Sequence, residues 1–384
     1  MLTDNVTVNE EALTVLNKEA MLVLTPAFVY ISVLINVGIP GNILVLLVYG
    51  TQLRTATGRY AIIVLAICDI INCALSIPVE MFIITNYWAF EYSFLCKLSR
   101  FTTYALNNSS GLILLAIACE RYRAICTPHK SKTQESFIRK CCGTMVALGT
   151  FAALPALFIY GIQTDVIQTQ DNAFANRNYT KTMAKSSVEN IGQNRTLKIT
   201  SHDETNATSG EMWVTTKRCL IDDAWKGTSF AYSHFALVTI ASTIVLLIIV
   251  VVYIQIGRTI HNLKTCRLRA AITVLSINER EKLRATNKKK FQSTLLLFLI
   301  TLAFQFSFIP FLVISNIRFF AKPSWYREMS RASKMSYHFF LRSYYLNCAV
   351  NPFIYGLTSK QFRRSVVKLI SRGHQTLKTI VNHK

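Results

Sequence analysis

The chain has 384 residues, 51% hydrophobic and 16% charged, with 42 Lys and Arg against 20 Asp and Glu and a mean hydropathy of +0.32. Its apolar residues gather in long runs rather than at the short spacing of soluble elements, which excludes a water-soluble globular enzyme or binding module as the starting picture. The net charge of +22 is explained by the sidedness derived below before it requires a nucleic-acid partner.

Residues 1–25 read as an outer tail, without the basic start, short apolar core and small-residue cleavage site of a removable signal peptide. Seven apolar runs follow, near residues 26–49, 60–84, 96–126, 138–160, 230–257, 291–317 and 335–357. Each is long enough for a helix to cross roughly 30 Å of hydrocarbon. Lipid offers backbone polar groups no partner, so helices are the natural spanning form. The expected fold is therefore all-α, one seven-transmembrane helix bundle over 26–357 with no separate soluble domain. The outer loop 161–229 is rich in Thr, Asn and Lys and lacks apolar periodicity, so much of it is expected to be mobile. In the inner loop 258–290, Leu263, Leu268, Ile272, Leu275 and Ile277 stand among basic residues, consistent with the fifth helix continuing into the cytosol. After Leu357, Phe362, Val366, Val367, Leu369 and Ile370 alternate with Lys and Arg. That pattern predicts a short amphipathic helix on the inner leaflet, with membrane lipid as its partner. No cysteine follows to carry a palmitate.

With the N-terminus outside, 25 basic and four acidic side chains fall inside and 17 basic and 15 acidic outside, giving +21 and +2, while Asp69 lies mid-membrane. The basic bias fixes the inner side as cytoplasmic. The sequons at Asn5, Asn178, Asn194 and Asn206 all fall on outer segments, where glycans can be added. Of ten cysteines, Cys96 and Cys219 lie at outer-facing positions and are the expected disulfide, joining the top of the third span to the second outer loop. No spacing of Cys and His suggests zinc.

Helical spacing turns scattered polar residues into stripes. Thr103, Asn107, Ser110, Leu114 and Arg121 share one face of the third span, and Asn347, Asn351 and Tyr355 one face of the seventh. Lipid cannot satisfy these groups, so they must face one another and Asp69. Two states of Asp69 remove its desolvation penalty equally well. One is a protonated carboxyl held by hydrogen bonds, the other a small cation such as sodium held with Ser110, Asn347 and Asn351.

Taken in order and spacing, Gly41-Asn42, Leu65-Ala66-Ile67-Cys68-Asp69, Trp88 before Cys96, Glu120-Arg121-Tyr122 with Pro128, Tyr253, Phe304 with Phe308-Ile309-Pro310, and Asn351-Pro352-x-x-Tyr355 with Phe362 resemble the rhodopsin-like, class A, G-protein-coupled receptors. The likeness runs from Pro26 to Ile370. It implies a Cys96–Cys219 disulfide, an allosteric sodium pocket of Asp69, Ser110, Asn347 and Asn351 with no other cofactor, and an inner switch. That switch comprises Glu120, Arg121, Tyr122, Tyr253, Asn351, Pro352 and Tyr355. At rest Arg121 would pair with Glu120; in the active state it would be freed toward a heterotrimeric G-protein as the sixth helix swings outward about Pro310. Arrestin and a receptor kinase are further implied partners, and the plasma membrane the implied location. The chain departs from the pattern at Phe308 and Ser307, where tryptophan and cysteine are usual. The fourth span also lacks its tryptophan and the fifth its proline, and Lys288, Lys289 and Lys290 provide no acid opposite Arg121. Raised basal activity is expected from the last.

The ligand-facing candidates are Glu80, Arg100, Thr103, Asn107, Phe308, Tyr337 and Tyr344. Thr103 stands where amine receptors carry an aspartate, which argues against a biogenic amine. Glu80 lies three turns outward of Asp69 and either receives a basic residue of a peptide or pairs with Arg100 or Arg342. An extracellular neuropeptide is the favoured ligand. A lipid or other small molecule is the alternative, and a seven-helix transporter or channel a more distant one, because related halves and a broken central helix are not visible. His234 alone in the fifth span forms no catalytic group, and no enzyme activity is expected.

Overall fold

The computed structural model describes residues 2–53, 58–126, 135–170, 211–274, 277–321 and 325–382. Helix α1 spans Leu2–Leu47 and closes in a π turn, Val48–Gln52. Helix α2, Arg59–Thr85, widens into a π turn at Asn72–Ser76. Helix α3 is Ser93–Cys126 and α4 is Glu135–Ala153, after which Pro155 ends the regular turns and one further turn, Ala156–Ile159, leads into a hairpin. Strands β1, Tyr160–Gln170, and β2, Glu211–Ile221, pair antiparallel. Helices α5, Ser229–Val274, and α6, Ile277–Phe320, continue far beyond hydrocarbon length, as the apolar positions of the inner loop suggested for α5. Helix α7 comes in pieces, Arg331–Phe340 and Asn347–Thr358, joined through a 3-10 turn at Ser343–Leu346, and α8 is Lys360–Asn382.

Among the described residues, five helices are long and apolar enough to cross a membrane by composition alone, namely α1, α2, α4, α5 and α6. Helices α3 and α7 complete the seven expected crossings and are the polar ones. Asn107, Ser109 and Ser110 of α3 and Asn347 and Asn351 of α7 are all buried. Helix α5, by contrast, turns Leu237, Ile240, Ile244 and Leu247 outward, as a lipid-facing helix must. Leu65, Ile113, Leu114, Phe304, Tyr345 and Tyr355 fill the space between the helices.

Two close approaches fix the packing. A Cβ at Gly38 would stand 2.6 Å from Cys73 Sγ, so α1 meets α2 and α7 through a glycine. A Cβ at Gly149 would stand 2.5 Å from the Ser109 backbone nitrogen, so α4 meets α3 backbone to backbone.

The segment read as an outer tail is helical, α1 being continuous from Leu2, and Ala12, Leu13 and Leu16 cluster with Trp88 and Val214. The ends of the long outer loop pair as strands, with Ile167, Val214, Thr216 and Cys219 buried, while residues 171–210 lie outside the described residues. Asn178, Asn194, Asn206 and Pro128 lie outside the described residues; Asn5 falls within α1, its side chain outside them.

Candidate functional site

The outer mouth is held by covalent and backbone bonds. Cys96 on α3 and Cys219 on β2 form the expected disulfide, with Cα atoms 5.5 Å apart. Lys217 of β2 exchanges backbone bonds with the segment after α2, its N–H donating to Trp88 O and its carbonyl accepting from Phe90 N, both at 2.9 Å. The Trp88 N–H donates to Asn17 Oδ1 at 2.8 Å, which seats the outer end of α1 on the same segment. Within the hairpin, Asp165 accepts from Arg218 Nη2 at 2.6 Å and Lys226 Nζ at 2.8 Å. Burial alone would raise the Asp165 carboxyl, but the hydrogen bonds and charges of Lys226 and Arg218 outweigh it and hold the group below the usual carboxylate range.

One layer deeper, Glu80 of α2 is gripped from two helices. Arg342 Nε donates to Glu80 Oε1 at 2.9 Å with Nη2 at 2.8 Å, while Arg100 Nη1 on α3 lies 3.0 Å from Oε2. Arg342 Nη1 also donates to the His338 carbonyl at 3.0 Å. Both pairings left open by the sequence therefore form together, and Glu80 is not a free carboxylate awaiting a basic ligand. Arg342 and His338 were not among the candidate ligand residues; the visible signal was only that Arg342 is a charge at the edge of an apolar span. Tyr337 packs edge-on to Trp325, Tyr326 and His338, in an aromatic cluster beside this layer.

Below it, Thr103 Oγ1 and the Tyr345 hydroxyl are 3.5 Å apart, and Asn107 Nδ2 donates to the Thr103 carbonyl at 2.8 Å. Phe308 stacks on Phe304 at 5.5 Å and leans on Phe311, which meets Tyr344 at 4.9 Å; Tyr344 in turn meets Tyr345 at 4.3 Å. The tryptophan usual at position 308 is thus replaced by a column of smaller rings linking α6 to α7. Pro310 supplies no N–H to the α6 ladder. Nearby, Ser343 Oγ donates to the Ser307 carbonyl at 2.7 Å, so α7 satisfies an α6 backbone group there.

At mid-membrane, Asp69 is 2% exposed and accepts from Asn351 Nδ2 at 2.8 Å. Ser110, Asn347 and Asn351 are buried around the same level of α3 and α7, and the side-chain oxygens of Asn72, Asn347 and Asn351 accept no hydrogen bond from the described residues. Buried oxygens in that state are costly. One carboxylate with several neutral oxygens is a donor set that fits a small hard cation.

At the inner rim, Arg121 is 5% exposed, and its Nε donates to Glu120 Oε2 at 2.6 Å while Nη2 pairs with the same oxygen. The other switch residues are occupied elsewhere. The Tyr253 hydroxyl is 3.3 Å from Thr301 Oγ1 on α6, and Tyr355 packs against Tyr49 and Phe362. Pro352 sits in α7 one residue after Asn351, and Tyr122, one residue beyond Arg121, packs partly buried against the core. Arg121, Tyr253 and Tyr355 are therefore not assembled into one contact; each has a separate partner.

A buried polar spine that leads from a charged mouth to a paired arginine at the inner rim defines a seven-helix membrane receptor. The sequence profile of the 7 transmembrane receptor (rhodopsin family) matches residues 41–181 and 196–355, and the chain belongs to that family. It is a class A G-protein-coupled receptor, a multi-pass membrane protein and not an enzyme. G-protein coupled receptor 39 of Mus musculus is 25% identical over 353 residues, covering 89% of this chain and 71% of its own. Growth hormone secretagogue receptor type 1 of Sus scrofa is 24% identical over 339 residues, covering 87% and 77%. Motilin receptor of Homo sapiens is 24% identical over 370 residues, covering 90% and 81%.

Proposed function

We propose that this receptor lies in the plasma membrane with its N-terminus outside, binds an extracellular peptide at the mouth, and activates a heterotrimeric G-protein. The observation that carries the reading is the set of buried polar residues Glu80, Thr103, Asp69, Asn351 and Arg121 between the helices, with Asn351 donating to Asp69. Relatives named for motilin and for growth hormone secretagogues support a secreted ligand of this kind. Arrestin, a receptor kinase and inner-leaflet lipid against α8 are further partners. Glycans on Asn5, Asn178, Asn194 and Asn206 belong to the same topology.

In the resting arrangement Arg121 is held by Glu120, and the Tyr253–Thr301 contact ties α5 to α6. A ligand shifts this equilibrium only as far as it binds the active arrangement better. Contacts at the mouth reach α6 through the Tyr344–Phe311–Phe308–Phe304 column and through Ser343 on the Ser307 carbonyl. Loosening these lets α6 move outward, free Arg121 from Glu120 and open a cleft for the G-protein. Asp69, Ser110, Asn347 and Asn351 would hold a sodium ion in the resting state, where it supplies positive charge to the buried carboxylate.

The test is a screen of neuropeptides on cells expressing the chain, read by calcium and cyclic nucleotide, beside Arg121→Ala at matched surface level. A saturable peptide response lost in Arg121→Ala supports the reading. A response only to lipids or small organic molecules would replace the peptide by that class, and a response unchanged by Arg121→Ala would overturn the mechanism.

A further inference from the structure

We infer that the Glu80–Arg100–Arg342 cluster receives a carboxylate of the ligand, from a free peptide C-terminus or an acidic side chain. The inference rests on the proposal that the ligand enters at the mouth, and it reverses the electrostatic expectation the sequence gives rise to, in which Glu80 meets a basic group.

One carboxylate faces two guanidinium groups, all three in the interior, with side-chain exposures of 2% for Glu80, 6% for Arg342 and 19% for Arg100. The cluster carries a net +1. Among the described residues, no second acid forms an ion pair with either arginine. Two acids of the outer segments are already engaged, Asp165 by Arg218 and Lys226, and Glu91 by Lys217. An excess charge in a partly dehydrated site is expensive and favours any anion that can reach it.

Geometry says which arginine would take that anion. Arg342 is committed, with Nε and Nη2 on Glu80 Oε1 and Nη1 on the His338 carbonyl. Arg100 approaches Oε2 at 3.0 Å without aligning a hydrogen bond, and it is the most exposed member of the cluster. Arg100 is therefore tied to Glu80 by fewer contacts than Arg342. Its planar fork matches a carboxylate in two-point contact, and swinging from Oε2 to a ligand would leave the Glu80–Arg342 pair intact and neutral. Such a swing pulls on α3 against α2 and α7 at the top of the spine, which connects the anion to the switch below.

The experiment uses the full chain, purified in lipid nanodiscs. The probes are N-acetylphenylalanine, whose carboxylate is terminal, and N-acetylglutamyl-phenylalaninamide, whose carboxylate is on a side chain. Their uncharged controls are N-acetylphenylalaninamide and N-acetylglutaminyl-phenylalaninamide. Binding is read by displacement in saturation-transfer NMR, and ligand-free nucleotide exchange on a heterotrimeric G-protein is read on the same sample. At least one acid should bind about tenfold tighter than its amide, the size of one charge-assisted hydrogen bond. Whichever acid shows the preference names the source of the carboxylate. The preference should vanish in Arg100→Gln, survive in Arg100→Lys, and persist or grow in Glu80→Gln. Equal binding of acids and amides, or a preference that survives Arg100→Gln, overturns the inference. Nucleotide exchange without acid preference removes this inference and leaves the receptor mechanism standing. Acid preference without exchange supports the site and counts against the mechanism.

Discussion

Gly38→Ala tests whether α1, α2 and α7 are as tightly joined as the spine requires. The added methyl would lie 2.6 Å from Cys73 Sγ and 3.2 Å from the Cys348 carbonyl oxygen. Comfortable contacts between heavy atoms lie at about 3.5–4.0 Å, so the overlap with sulfur approaches about 1 Å. Neither neighbour can easily retreat: Cys73 and Cys348 are fully buried, and the Cys348 carbonyl already accepts Asn42 Nδ2 at 2.6 Å. Overpacking of this kind costs about 1–3 kcal/mol. Helix propensity alone would favour alanine over glycine by about 1 kcal/mol, so the sign of the change separates the two effects. Cys73→Ala removes the sulfur, and adding it to Gly38→Ala should recover about 1–2 kcal/mol relative to the sum of the single changes. The assay is the thermal unfolding midpoint in nanodiscs for the parent, both single variants and the double. A Gly38→Ala chain as stable as the parent, or strictly additive losses, would refute the close approach and the register of α1 on α7.

Other outcomes follow from the same contacts. Glu120→Gln removes the carboxylate that holds Arg121, so ligand-free nucleotide exchange should rise about tenfold, the worth of one charge-assisted hydrogen bond in a two-state equilibrium; unchanged exchange would exclude this pair as the resting lock. Asp69→Asn should abolish any dependence of ligand affinity on sodium against a choline control, and a dependence that persists would remove the cation from this site. Asp165 has a folded-state pKa below its unfolded value, so its contribution is complete above the unfolded pKa and is lost as pH falls through the folded one. The stability advantage of the parent over Asp165→Asn should accordingly be present at about pH 6 and shrink below about pH 4, and an advantage constant down to about pH 2 would contradict the ion-pair account.

Much of this architecture was legible from residue order alone because membranes impose few solutions. Runs of hydrocarbon-spanning length gave the crossings, and spacing of three, four and seven placed Asp69, Asn347, Asn351 and Arg121 on inward faces, where they lie. The Glu120–Arg121 pair was equally accessible, since adjacent opposite charges at a membrane rim have few alternatives. What escaped depends on partners distant in the chain. The outer end of α1 looks like a polar tail until Val214 and Trp88 arrive to cover Ala12 and Leu16. The β1–β2 hairpin is closed by backbone bonds, to which side-chain periodicity is nearly blind. Glu80 could be assigned either a ligand or an arginine by spacing, but not two arginines from different helices at once. The π turn of α2 at Asn72–Ser76 did have a sequence signal in Pro78, which supplies no N–H to the Ala74 carbonyl, whereas the turn of α7 at Ser343–Leu346 carries no proline or glycine to announce it.

The most direct measurement is guanine-nucleotide exchange by the purified chain in nanodiscs, offered a panel of heterotrimeric G-proteins, with Arg121→Ala in parallel. A receptor whose inner arginine is the element released toward the G-protein should accelerate exchange on at least one heterotrimer, and the arginine variant should fall to the level of empty discs. Exchange by Arg121→Ala equal to that of the parent, or no acceleration on any heterotrimer even with Glu120→Gln, would contradict the account.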